Sequence, residues 1–230
     1  MDAADVRGLL GLLLADGSLV RYRSPSGGYV QLTLTAGAKE SAFLEEKVAE
    51  FRQFLPTEAQ IVPYKTTPRA NGRSTLVLRF RVSTTKLRLI YNLLYPGGER
   101  RITSTALEML GARAAAWLWA EGARVCRDGS VELTRVGGDE HEATLVQQWL
   151  ATLTGAHSEV LAERVRPRLR FSHAEARKIR IALLDYAPLS RRYLFTEESW
   201  DVSTIRSART ELQFGEGLAS PQGSAEAPLA

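Results

Sequence analysis

The run L-L-G-L-L-L-A-D-G at residues 9–17 restricts the fold of this chain more than any other stretch. At helical spacing it has no polar face, and a helix that is apolar all round must be buried all round. Its end is just as constraining. A helix C-terminus carries partial negative charge from its aligned peptide dipoles. An acid there, Asp16, is disfavoured by up to roughly 1 kcal/mol unless a cation offsets it. Gly11 and Ala15, four residues apart, leave a stripe small enough for a second helix backbone to come close.

The chain supplies a matching helix. Residues 113–124 read R-A-A-A-W-L-W-A-E-G-A-R, again an apolar helix with small residues, then an acid, Glu121, then Gly122 and a basic strand-like segment. The spacing predicts the same order of elements after each copy. In the first half a helix over 6–16, with Asp2 or Asp5 as its N-cap, leads into a strand over 18–23. The turn chemistry of 24–28 and an alternating strand over 29–35 complete a hairpin. A helix over 39–55 follows, stopped by Pro56, then strands over 60–64 and 75–82, then a helix over 86–94. In the second half a helix over 112–121 precedes a hairpin turned at Asp128-Gly129 and a helix over 140–153. Strand pairing around 163–171 and a helix over 174–185 follow, the latter opened by the Ser172-x-x-Glu175 pattern of a capping box. The second half is the shorter, and the expectation is that its hairpin loops lack the missing residues.

The division is therefore repeat one at 1–98, a linker at 99–111 and repeat two at 112–190. A C-terminal extension at 191–214 has Tyr193, Leu194, Phe195 and Trp200 to dock on the core, and 215–230 is too rich in Gly, Ser, Pro and Ala to bury a core of its own. The fold class is α+β, two pseudo-symmetric αββαββα repeats with their core helices at the interface and antiparallel sheets alongside.

Arginine placement gives the modest net charge of +4 its meaning. In R-V-R-P-R-L-R at 164–170 every second residue is arginine, and a period of two puts Arg164, Arg166, Arg168 and Arg170 on one sheet face. Arg79 and Arg81, and Arg21 and Arg23, alternate in the same way. Arginine suits phosphate and guanine contacts, so the expected partner is double-stranded DNA. Arg73, Arg124, Arg127, Gln31 and Thr33 join the expected DNA-binding set. A solvated charged face is the plain alternative, and Pro167 confines its strand to an edge or bulge.

If the two helices pack side by side, Asp16 and Glu121 emerge together. Two adjacent carboxylates repel each other unless a divalent cation lies between them, and oxygen donors of this kind suit Mg²⁺ or another divalent cation. The isolated reading of Asp16-Gly17 is an ordinary turn after a core helix. Cys126 is the only cysteine, so there is neither an internal disulfide nor a cysteine-based zinc site. The three histidines are too dispersed to suggest a local metal site. No apolar run has the length of a membrane span and the N-terminus lacks a signal-peptide pattern, so the expectation is an intracellular protein, in cytoplasm, nucleoid or organelle, with no membrane partner.

Taken together, Leu9, Gly11, Leu12, Ala15, Asp16 and Gly17, repeated more loosely as Ala115, Ala120, Glu121 and Gly122, resemble the signature of the LAGLIDADG homing endonuclease family in its single-chain, two-repeat form. The resemblance covers about 6–187. It implies a monomer with a saddle of strands over a long, asymmetric DNA site and a metal-dependent, staggered double-strand cut. It further implies Asp16 and Glu121 as catalytic and metal-binding acids, Gly17 and Ala120 as further metal contacts, and Arg81 and Arg170 at the positions of the family's basic residues. Those are usually lysine, and Glu121 is usually Asp. An arginine stays charged and cannot relay a proton. The alternative within the resemblance is a non-catalytic descendant that binds DNA or intron RNA, as a maturase or transcription regulator. A repeat-built protein-interaction module is the alternative outside it.

Overall fold

The computed structural model describes residues 1–23, 28–66, 74–162 and 165–196. Arg73, Arg164, Trp200 with the rest of the extension to 214, and the tail at 215–230 lie outside the described residues. In repeat one, helix α1 (Ala3–Leu13) is followed by strands β1 (Ser18–Tyr22) and β2 (Tyr29–Gly37), helix α2 (Ser41–Phe54), strands β3 (Ile61–Lys65) and β4 (Leu76–Thr84), and helix α3 (Arg88–Leu94). A linker containing the short helix α4 (Ser104–Glu108) leads to repeat two. There α5 (Ala112–Gly122), β5 (Ala123–Val125), β6 (Val131–Leu133), α6 (Glu140–Thr154), β7 (Glu159–Leu161), β8 (Arg168–Phe171) and α7 (His173–Leu183) follow in the same order. The αββαββα reading of both repeats therefore holds.

Each repeat forms one four-stranded antiparallel sheet, ordered β1-β2-β4-β3 and β5-β6-β8-β7. The two orders are the same, so the repeat is one of topology as well as of sequence. The shortening of repeat two falls mainly in its strands: β2 and β4 have 9 residues each, β6 and β8 only 3 and 4. Hairpin loops were the expected place; for β8 the physical reason is Pro167. It lacks a ladder donor, so β8 starts one residue after it, and Arg166 stands outside the strand.

Helices α1 and α5 pack directly on each other at the centre. A Cβ placed on Gly11 would come within 2.7 Å of the Ala114 Cβ and 3.3 Å of its Cα, so the two backbones are as close as side chains permit. Gly8 gives similar room to the Phe54 ring of α2. With α2, α3 and α5 against it, α1 has no solvent face over 9–14, and Leu9, Leu10, Leu12, Leu13 and Leu14 are buried. Trp117 and Trp119 are core residues, tilted against Phe43 and edge-on to Phe171 respectively.

Local signals fix the helix ends. Asp2 and Asp5 form a reciprocal capping box, so α1 starts earlier than expected and stops at Leu13, leaving Asp16 in the bend beyond it. Ser172 caps α7, but the Glu175 carboxylate bonds to the His157 backbone N–H at 2.6 Å instead of closing the box. In the linker, Arg101 bonds to Asp139 and Glu142, and buried Glu142 also accepts from the backbone N–H groups of Ile102 and Gly138. After α7 the chain turns back onto repeat one. Glu46 of α2 accepts from the backbone of Leu189 and Ser190, Arg191 lies 4.7 Å over the Phe43 ring, and Leu194 and Phe195 are buried. Tyr193 remains exposed.

Candidate active site and nucleic-acid interface

Because α1 and α5 run side by side, the acids that follow them arrive together. Asp16 and Glu121 both accept from the ammonium of Lys47, Asp16 through Oδ2 at 3.3 Å and Glu121 through Oε1 in a short contact. Lys47 is in the middle of α2 and only 1% of its side chain is exposed, against 8% for Glu121 and 26% for Asp16. The second oxygen of Asp16 accepts from Arg135 at 3.1 Å, and the same guanidinium donates to the Ala15 carbonyl. Arg100, from the linker, donates to the Leu13 and Leu14 carbonyls at 2.6 and 3.0 Å and to the Gly17 carbonyl. It caps α1 and supplies the positive charge that the helix end and Asp16 require.

Gly17 has φ +101°, and a side chain there would also crowd Leu13, Leu32 and Leu34. The turn that presents Asp16 thus depends on glycine. Burial by itself pushes the Asp16 carboxyl up. The Lys47 ammonium, then Arg135, with the Gly17 N–H also donating, more than reverse this and hold it below the ordinary carboxylate range. Removing Lys47 would take its ammonium from the buried Glu121 and leave Asp16 with Arg135, a change on the order of 3–5 kcal/mol.

This pair can hold a divalent cation. The donors are hard carboxylate oxygens, one from each repeat, and they converge on a point where a cation, the Lys47 ammonium, is already bound. Among the described residues no group of three or more His, Cys, Asp or Glu side chains gathers around a metal-sized space. Gly17 and Ala120 have only backbone oxygens to offer; Gly17's is engaged by Arg100, and Ala120 is buried in the last turn of α5. Mg²⁺ commonly keeps several waters and takes substrate phosphates as ligands, so two carboxylates are a workable protein share.

The basic residues that bond to the acids or to the α1 end are Lys47, Arg100 and Arg135. Arg81 is in register with Thr33, itself opposite Ser18, on the exposed face of the first sheet. Arg170 is opposite Glu132 and bonds at 2.6 Å to Asp128 in the β5–β6 turn, at the other end of the hairpin from Arg135. β8 runs away from the carboxylates, so Arg170 lies farther along from them than Arg168 does. Lys47 carried a signal in the sequence, since it falls on the same helical stripe as Phe43, Leu44, Val48 and Phe51. Arg100 carried none.

The exposed face of the first sheet aligns Ser18, Val20 and Tyr22 of β1, Gln31 and Thr33 of β2, Arg79 and Arg81 of β4, and Tyr64 of β3. Gln31 donates to Ser83, and Arg79 stacks over Tyr64 at 3.6 Å. Arg21 is on the other face: it pairs with buried Val30 and shares the side of Leu19, and Arg23 follows just past the strand. Counting by two from Tyr22 gives this result, because Tyr22 and not its arginine neighbours belongs with Gln31. On the second sheet Arg124, Arg168 and Arg170 share the exposed face with Glu132 and Glu159, and Arg168 bonds to Glu132 at 2.9 Å. Arg127 is exposed in the turn, and Arg166 is exposed outside the strand.

Two αββαββα repeats joined by close-packed central helices, each ending in an acid that meets the other below two antiparallel sheets, define a two-repeat nuclease-type fold. Residues 7–179 match the LAGLIDADG DNA endonuclease family, and the chain belongs to that family. Among solved structures it is similar to the homing endonuclease I-WcaI bound to its DNA recognition sequence, with TM-score 0.64 and 12% identity over 85% of this chain and 87% of that one. It is also similar to I-DmoI in complex with DNA and Ca, with TM-score 0.53 and 16% identity over 89% and 98%. A third match is a substituted form of I-DmoI in complex with its target DNA in the presence of 2 mM Mg, with TM-score 0.52 and 15% identity over 79% and 96%. At these identities the likeness is one of fold. No curated protein sequence matches the chain.

Proposed function

We propose that this protein is a divalent-metal-dependent DNA endonuclease that recognises a long, asymmetric duplex site and cuts both strands. The observation that carries the reading is the meeting of one acid from each repeat, Asp16 and Glu121, around a single cation-holding point. The DNA-bound I-WcaI, and the I-DmoI complexes with DNA and Ca or with DNA in the presence of Mg, which share the fold, support it.

A divalent cation held by Asp16 and Glu121 would lower the pKa of a water and offset charge developing on a phosphate. The chain's own residues do the remainder. Arg79 and Arg81 of the first sheet, and Arg124 and Arg168 of the second, place the phosphate backbone and read bases. Arg100 fixes the α1 end and so the Asp16 turn, and Arg135 orients the Asp16 carboxylate from the repeat-two side. Since a single chain carries both acids, the working unit is a monomer.

Cleavage of a randomised duplex library in Mg²⁺ tests the reading. Cutting at one long site is expected, and Asp16→Asn or Glu121→Gln should each reduce it by a factor of at least ~10². Salt-sensitive binding without cutting would favour the second reading, a non-catalytic DNA-binding descendant, for which the occupation of both acids by Lys47 is the supporting observation.

A further inference from the structure

The oxygens that a metal would take are already accepting from cations. Asp16 Oδ2 and Glu121 Oε1 bond to Lys47, Asp16 Oδ1 to Arg135 and the Gly17 carbonyl to Arg100. Of these cations Lys47 is set apart by its position. Its side chain is 1% exposed, it bridges the acids of the two repeats, and α2 delivers it between Phe43, Leu44, Val48 and Phe51 on its buried face. An ammonium and a divalent cation cannot share the same two carboxylate oxygens, because each added cation would face the other's charge at contact distance in a poorly hydrated setting.

We propose that Lys47 is a built-in competitor for the metal: its ammonium occupies the cation position between Asp16 and Glu121, and metal binding requires it to withdraw. This rests on the nuclease reading for the identity of the competing ion, and on the geometry alone for the competition. Lys47 is a positioning residue that acts through the two acids. It keeps them together when no metal is bound, and it sets a threshold that the ion must exceed. The phosphates of a bound duplex would lower that threshold by offering the displaced ammonium new anionic partners.

Mn²⁺ binding to the DNA-free protein, followed through the EPR signal of the free ion, tests this without reference to activity. Lys47→Gln should bind Mn²⁺ at least ~10-fold more tightly than the wild type, since the variant removes the competitor and keeps both acids. Adding Asp16→Asn to it should abolish the gain, and Lys47→Arg, which keeps a cation in place, should remain weak. A purely structural role would loosen the site and lower affinity instead. If Lys47→Gln does not fold, the wild type carries the test. With lysine labelled by ¹⁵N, the Lys47 ammonium signal should be lost as Ca²⁺ is added, while the other four lysines, all outside this site, keep theirs. Unchanged or weaker Mn²⁺ binding by Lys47→Gln, or a Lys47 signal that persists when the protein is saturated with Ca²⁺, overturns the competition. A wild type that binds metal on displacing Lys47 yet cuts no DNA would strike the nuclease reading and leave the competition standing.

Discussion

A lysine on the buried face of a helix is a local inconsistency that the rest of the fold must resolve, and in α2 it is resolved by two acids from two different repeats. The acids themselves were legible in the sequence, because each closes an apolar helix and precedes a glycine. Their cationic partners were much less so. Lys47 shows in the helical stripe of 43–51, but Arg100 and Arg135 lie in irregular segments where no periodicity predicts direction. The same limit applies to Arg81 and Arg170, whose strand alternation gives a face but not a distance from the acids. Elsewhere, Asp139 shows what a single cap does. It accepts from the Glu142 backbone N–H at 2.9 Å, and that bond, with Arg101 beside it, holds its carboxyl below the ordinary 3.8. A carboxyl lowered in the folded state contributes stability that is present above its unfolded pKa and is lost as pH falls through its native value. Asp139→Ala should therefore cost about 1 kcal/mol in urea unfolding at neutral pH, and less below pH ~4.

The contact between α1 and α5 leaves no slack. Gly11→Ala would place a methyl 2.7 Å from that of Ala114, so the expected cost is about 1–3 kcal/mol of stability, measured by chemical denaturation. Ala114→Gly in the same chain should recover part of it. The sheets differ more than their shared order suggests. In the first, among the described residues, Arg79 and Arg81 have no acid in register with them on the exposed face; in the second, Arg168 and Arg170 are held by Glu132 and Asp128. Replacing Arg79 and Arg81 by alanine should thus weaken duplex binding more, and reduce its salt slope more, than replacing Arg168 and Arg170. A salt titration of each pair against one duplex measures the difference. Helix and strand order was readable from period and turn chemistry. The short β8 was not, because Pro167 truncates a run whose alternation continues through it.

At the level of the molecule, links beyond the central helices and the carboxylates fasten the two repeats and the linker together. Arg113 of α5 bonds to Glu50 of α2, Arg101 fastens the linker to α6, and the segment after α7 returns to Glu46 and Phe43. These links are long-range in sequence and none could be read from local pattern. They also make the repeats unequal partners. Lys47 comes from repeat one, yet it bonds to the acids of both, and Glu121 is the more enclosed of the two. In a nuclease that cuts both strands, a pseudo-two-fold broken at the carboxylates would be broken in time as well. The two strands of a duplex would meet unlike chemistry on either side of the centre, and one would be severed before the other. On a supercoiled plasmid carrying the site, open circles should therefore build up ahead of linear DNA. Their lifetime would be a clock for the difference between two halves that otherwise look alike.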